Sequence, residues 1–174
     1  MMRALCVCIF LACASAAFAA FNPPNWTQCD PQWGNIPIGN KSTTICQHGN
    51  AETCYAMLMS TRGYKGNPGD LVLWLNANEG YKCYFLKGCV LQQRKIDELG
   101  FTKFYQTIDF PTHETIMNYF NSGYGVLAQV YSCKTLRYVL ITGSNGSKGY
   151  TVHDPSCCTD TITHINVNQW WIIE

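Results

Sequence analysis

The chain is poor in charge: Asp, Glu, Lys and Arg together make up 13 % of its 174 residues, and the formal net charge is +1. No stretch concentrates Lys and Arg, so neither a nucleic-acid-binding face nor a polybasic membrane patch is expected. No Cys-x-x-Cys pair occurs, and the histidines share no metal-ligand spacing with one another or with an acidic pair, so neither a metal nor a cofactor is expected. There is no internal repeat and no low-complexity tract. The one long apolar run lies at the start, Met1 to Ala20, and is too short for a comfortable membrane span. With one basic residue, Arg3, at its start and Ala17-Phe18-Ala19 near its end, it reads as a secretory signal peptide covering 1–20, with no membrane span left after cleavage.

What remains, 21–174, has the size of one domain and is long enough to bury a core. Of the eleven cysteines, Cys6, Cys8 and Cys13 leave with the signal. Cys29, Cys46, Cys54, Cys83, Cys89, Cys133, Cys157 and Cys158 remain. An even set behind an export signal implies disulfides in an oxidising compartment, with about 105 possible connectivities. Cys83 and Cys89 form the expected local pair. Asn25, Asn40 and Asn145 begin N-x-S/T sequons, which fits a secreted, extracellular glycoprotein.

Phe21 to Thr44 lacks periodicity and reads as an ordered arm tied down by Trp26, Cys29 and Trp33. A first helix is expected from Asn50 to Thr61, stopped by Gly63, and a second from Pro68 to Glu79, ending at Gly80. A short helix near 91–99 ending at Gly100 and another from Pro111 through Phe120 follow. From Gly125 the pattern changes to β-branched and aromatic runs at Val126–Val130, Tyr138–Ile141 and Tyr150–Val152, with a further strand within Ile162 to Ile173. Helices first and strands second make an α+β arrangement.

Five segments resemble one family. Around the first helix the chain reads Thr44-Ile45-Cys46-Gln47-His48-Gly49-Asn50-Ala51-Glu52-Thr53-Cys54-Tyr55-Ala56-Met57. Later come Arg137-Tyr138-Val139-Leu140-Ile141-Thr142-Gly143 and Tyr150-Thr151-Val152-His153-Asp154-Pro155. These, with Gln28 to Gly34 and Asn67 to Leu71, resemble the C39-like cysteine peptidases over nearly all of 21–174. The resemblance implies a papain-like fold with N-terminal helices packed on a C-terminal antiparallel sheet. It also implies a nucleophile, base and orienting acid at Asn50, Arg137 and Asp154.

Only Asp154 keeps the family's residue. An amide is no nucleophile, and a guanidinium that stays protonated cannot accept a proton. The expected function is therefore that of a catalytically inactive pseudo-peptidase serving a binding or extracellular structural role, with a protein, peptide or glycan as partner. If the family geometry holds, Arg137 and Asp154 form an ion pair. The alternative is an active secreted cysteine peptidase using Cys54, one helical turn past Asn50, with His48 or His153 as a non-standard base. A third reading is a small disulfide-rich carbohydrate or toxin-like binder that merely shares these patterns. His153 is expected on the opposite side of the strand from Asp154, His48 in solvent, and His113 and His164 have no assigned role.

Overall fold

The computed structural model describes residues 21–39, 42–84 and 88–174. The expected signal peptide over 1–20 and the expected sequon at Asn40 lie outside them.

The helices form where the spacing places them. A one-turn α1 (Ile45–His48) leads into α2 (Asn50–Ser60), whose residues Ala51 to Met59 are all buried. A helix enclosed on every side belongs in the middle of a fold. In α3 (Pro68–Ala77) the Asn67 side chain accepts from the Gly69 and Asp70 N–H groups, while Asp70 accepts from the Asn67 N–H, and Pro68 supplies the first turn. α3 ends two residues before the expected Glu79, and Glu79 itself, at φ 59°, takes a left-handed conformation. Gly80 is required for another reason: a Cβ there would run into Leu75. Instead of one helix over 91–99 there are α4 (Gln93–Ile96) and a 3₁₀ turn over Asp97–Leu99, which Gly100 stops at φ 78°. α5 (His113–Asn121) starts on a Thr112 cap.

Two strand regions were not expected. β1 (Tyr81–Tyr84) and β2 (Gly88–Leu91) form an antiparallel hairpin that sets Cys83 opposite Cys89. β3 (Phe104–Ile108) is an edge strand of the main sheet. With β4 (Gly125–Ser132), β5 (Thr135–Ser144), β6 (Gly149–His153), β7 (Thr161–Thr163) and β8 (Val167–Ile173) it builds a six-stranded antiparallel sheet, ordered β3-β8-β4-β5-β6-β7. N-terminal helices and a C-terminal antiparallel sheet thus make the fold α+β.

The pleat sorts the core into two layers. Leu127, Leu140, Trp171 and Ile173 face α2 and pack with Tyr55, Met57, Leu58 and Met59. Their alternates, including Val126, Val139, Ile141, Tyr150, Trp170 and Ile172, pack on the opposite face against Ile116 of α5. The arm is anchored as expected: Trp33 is buried and its Nε1 donates to the Thr27 carbonyl, and Trp26 meets Trp33 edge-on.

Among the described residues three disulfides form, Cys29–Cys46, Cys83–Cys89 and Cys133–Cys158. The expectation that all eight cysteines pair is corrected for two of them. Cys54 and Cys157 carry free thiols. Cys54 is walled into the α2–sheet layer, whereas Cys157 lies in the solvent-exposed turn after β6. An even count does not pair cysteines that the fold sets in such different surroundings.

Candidate functional site

The N-terminus of α2, the start of β5 and the turn that follows β6 meet at one place, and the meeting brings Asn50, Arg137 and Asp154 together. β6 stops pairing with β5 at Leu140↔His153. Two residues earlier on β5, the Tyr138 N–H donates to Asn50 Oδ1 at 2.8 Å. One turn further along α2, the Cys54 thiol lies 3.5 Å from the Tyr138 carbonyl. Asn50 and Cys54 therefore share a helix face, and both are tied to the backbone of one β5 residue.

Arg137 is buried beneath the β4–β5 turn. Its Nη2 donates to the Ser132 carbonyl at 2.5 Å and to Thr135 Oγ1 at 2.7 Å, and its Nη1 points at the Cys158 sulfur at 3.0 Å. The same Nη1 lies 3.9 Å from Asp154 Oδ2, with side-chain exposures of 5 % and 0 %. That separation is an ion pair without a direct hydrogen bond. Asp154 uses its oxygens on the following turn, accepting from the Ser156 N–H at 2.8 Å and the Cys158 N–H at 3.3 Å. These bonds cap the turn that carries Cys157 and Cys158.

Two further residues shape the site and were not assigned to it from the sequence. Gln28 is buried, donates from Nε2 to the Cys46 carbonyl at 2.6 Å and accepts at Oε1 from Ser156 Oγ, while its N–H donates to the Pro155 carbonyl. It pins the arm to both α1 and the Asp154 turn. Glu52 lies fully buried in α2, and burial pushes its carboxyl from an ordinary 4.5 up to about 7, opposed in part by its own backbone N–H and by the Tyr81 hydroxyl. The one signal for Glu52 in the sequence is an acidic residue inside a helix that is otherwise enclosed.

The chemistry open to this arrangement is narrow. Burial raises the Cys54 thiol well above its ordinary range, and the negative charges of Asp154 and Glu52 push it the same way. It is therefore a thiol at neutral pH and no nucleophile. His48 is exposed on α1, and His153 is half-buried with its affinity for a proton lowered by burial. His164 and His113 lie with the core layer on the α5 side of the sheet. There His164 bonds the Tyr150 hydroxyl at 2.7 Å and the Pro111 carbonyl at 2.8 Å and stacks on Trp170, while the His113 ring lies 4.8 Å from that of Tyr150. Among the described residues no group of three or more His, Cys, Asp or Glu side chains is placed to hold a metal ion, and no helix is long and apolar enough to cross a membrane. Asn25 and Asn145 are both exposed.

No protein-family model, curated protein or solved structure matches this chain.

The thiols give a direct check. Alkylation of the folded protein is expected to modify Cys157 within minutes, and Cys54 is expected to react only after denaturation, at least about a hundredfold more slowly in the native state. Peptide mapping by mass spectrometry reads both, and rapid native labelling of Cys54 would contradict its burial.

Proposed function

We propose that this chain is a secreted, disulfide-stabilised domain of papain-like architecture, similar to the C39-like peptidases, that acts by binding a protein, peptide or glycan and not by hydrolysis. One observation carries the reading: the groups at the nucleophile, base and acid positions are all engaged inside the protein. Asn50 holds the Tyr138 N–H, Arg137 holds the β4–β5 turn and the Cys158 sulfur, and Asp154 holds two backbone N–H groups. A catalytic constellation needs a free nucleophile beside a base. Here the same positions form a junction between helix, hairpin and turn.

Three disulfides, a sequence-level export signal and exposed sequons at Asn25 and Asn145 support the extracellular setting. The packing of α2 against one face of the antiparallel sheet supports the resemblance. The partner engages the surface, because the side chains of Asn50, Arg137 and Asp154 are buried or half-buried and held by the protein's own backbone.

The test restores the chemistry. In a Cys157→Ser background, the pair Asn50→Cys with Arg137→His is expected to give a thiol at the α2 N-terminus that alkylates at pH 6 about tenfold faster than Cys157 does in the parent chain, because the helix end and an adjacent histidine favour the thiolate. The parent chain is expected to hydrolyse no peptide library. Hydrolysis by the parent that is lost with Cys54→Ala would overturn the reading, and a folded double variant whose new thiol stays inert would remove the papain-like assignment.

A further inference from the structure

Three cysteines are neighbours at the end of the site. Cys133 sits in the β4–β5 turn at φ 47°, Cys158 is bonded to it, and the free thiol of Cys157 is the neighbouring residue. All three residues are exposed. The sulfur of Cys158 is unlike the other two, because it receives a guanidinium N–H from Arg137 at 3.0 Å, and that cation is itself buried. A charge fixed against one half of a disulfide makes the two halves unequal as leaving groups.

We propose that Cys157, Cys133 and Cys158 form an internal thiol–disulfide exchange site in which the bridge to Cys133 moves between the two neighbouring cysteines. The Cys157 thiol gives its proton to solvent, and the thiolate attacks Cys133 Sγ. A Cys157–Cys133 bond forms, the Cys133–Cys158 bond breaks, and its electron pair leaves on Cys158 Sγ as a thiolate facing Arg137 Nη1. The number of disulfides is unchanged, so no oxidant or reductant is consumed. Attack on Cys158 instead would close a strained ring between adjacent residues and would not make use of the cation.

The geometry allows the shift. The Cys133 and Cys158 Cα atoms are 6.3 Å apart, and disulfides span Cα separations of about 4.4–6.8 Å, so a one-residue change of partner needs a local movement of the turn and not of the sheet. Cys157 sits at φ 55°, a left-handed conformation that non-glycine residues rarely adopt. Asp154, which caps the turn through the Ser156 and Cys158 N–H groups, marks its fixed end. Arg137 then has a second use: at the position where the family places a proton acceptor, it stabilises a leaving thiolate.

The experiment is a site-resolved thiol map of the intact protein. Protein purified at pH 5 is held at pH 8 for increasing times, quenched in acid, denatured and alkylated, and fragmentation between residues 157 and 158 assigns the label, with Cys54 as internal standard. The label is expected on Cys157 at first and to divide between Cys157 and Cys158 over minutes to hours. Cys157→Ser is expected to leave Cys158 unlabelled, and Arg137→Gln to slow the transfer about tenfold, since a poorer leaving thiolate slows exchange. A label that stays on Cys157 after a day at pH 8, or label on Cys158 in Cys157→Ser, overturns the proposal. An undiminished rate in folded Arg137→Gln overturns the role of the cation. Should Arg137→Gln not fold, the parent protein's partition still decides whether exchange occurs.

Discussion

Replacing Arg137 by Met is expected to lower the free energy of unfolding by about 3–5 kcal/mol, because it strands a buried carboxylate and frees a turn at once. Arg137 and Asp154 face each other with side-chain exposures of 5 % and 0 %. Methionine matches the length and apolar stem of arginine, so packing changes little. The charge partner of Asp154 and the donors to the Ser132 carbonyl and Thr135 hydroxyl are lost together. Adding Asp154→Asn to Arg137→Met removes the stranded charge and is expected to restore roughly half of the loss, a coupling that a double-mutant cycle in urea measures. A single-variant loss below about 1 kcal/mol would mean that this pair behaves like an exposed one.

Stability is expected to fall as pH rises from about 4.5 to 7, by roughly 3 kcal/mol, and the fall is assigned to Glu52. The folded protein holds the Glu52 proton up to about pH 7, while the unfolded chain releases it near 4.5. Between those values the native state binds more protons than the unfolded state, so the slope of stability against pH is negative. Above pH 7 both states are ionised and the penalty is constant. Glu52→Gln keeps the shape without the ionisation and is expected to flatten the profile, leaving the variant more stable than the parent at pH 8. Urea midpoints at pH 4.5, 6 and 8 decide the matter, and parallel profiles for parent and variant would exclude Glu52 as the source.

The elements that were legible in the sequence are those with a strong period or a punctuated end. α2, α3, α5 and the strands β4 to β6 lie within a few residues of where apolar spacing, Pro68 and the glycines place them. β1 and β2 escaped notice because their outward residues, Lys82, Tyr84 and Val90, mix polar and apolar types, so the alternation does not show in residue type. Their covalent tie was nevertheless readable, since Cys83 and Cys89 are close enough in the chain to be the default pair. β3 alternates inward Phe104, Gln106 and Ile108 with outward Tyr105 and Thr107, and a glutamine at an inward position hides the pattern. That glutamine is accommodated by the Tyr119 hydroxyl, 2.7 Å from its Nε2.

In the site, the residues were legible and their engagements were not. Asn50, Arg137 and Asp154 could be marked from a resemblance, yet the partners of Arg137 come from a tight turn and from one disulfide among many possible pairings. Glu52 illustrates the opposite limit. Its burial follows from α2 being covered on all sides, which depends on where the arm, α3 and the sheet sit together.

The position of β8 governs how the chain reaches this state. It lies between β3 and β4, pairing Ile173 with both Phe104 and Gly125, whereas β4 and β5 are joined by a two-residue turn and can zip together at once. Assembly is therefore expected to start from the local hairpin and to wait on partners distant in sequence, which favours slow folding for a domain of this size. Until Val167–Ile173 arrives, one side of β4 presents an open row of N–H and C=O groups flanked by Val126, Leu127, Ala128 and Val130. An unpaired apolar strand edge is a template for other chains. Self-association during refolding is thus expected to follow how fast the last strand inserts, and the yield of native protein is expected to rise on dilution.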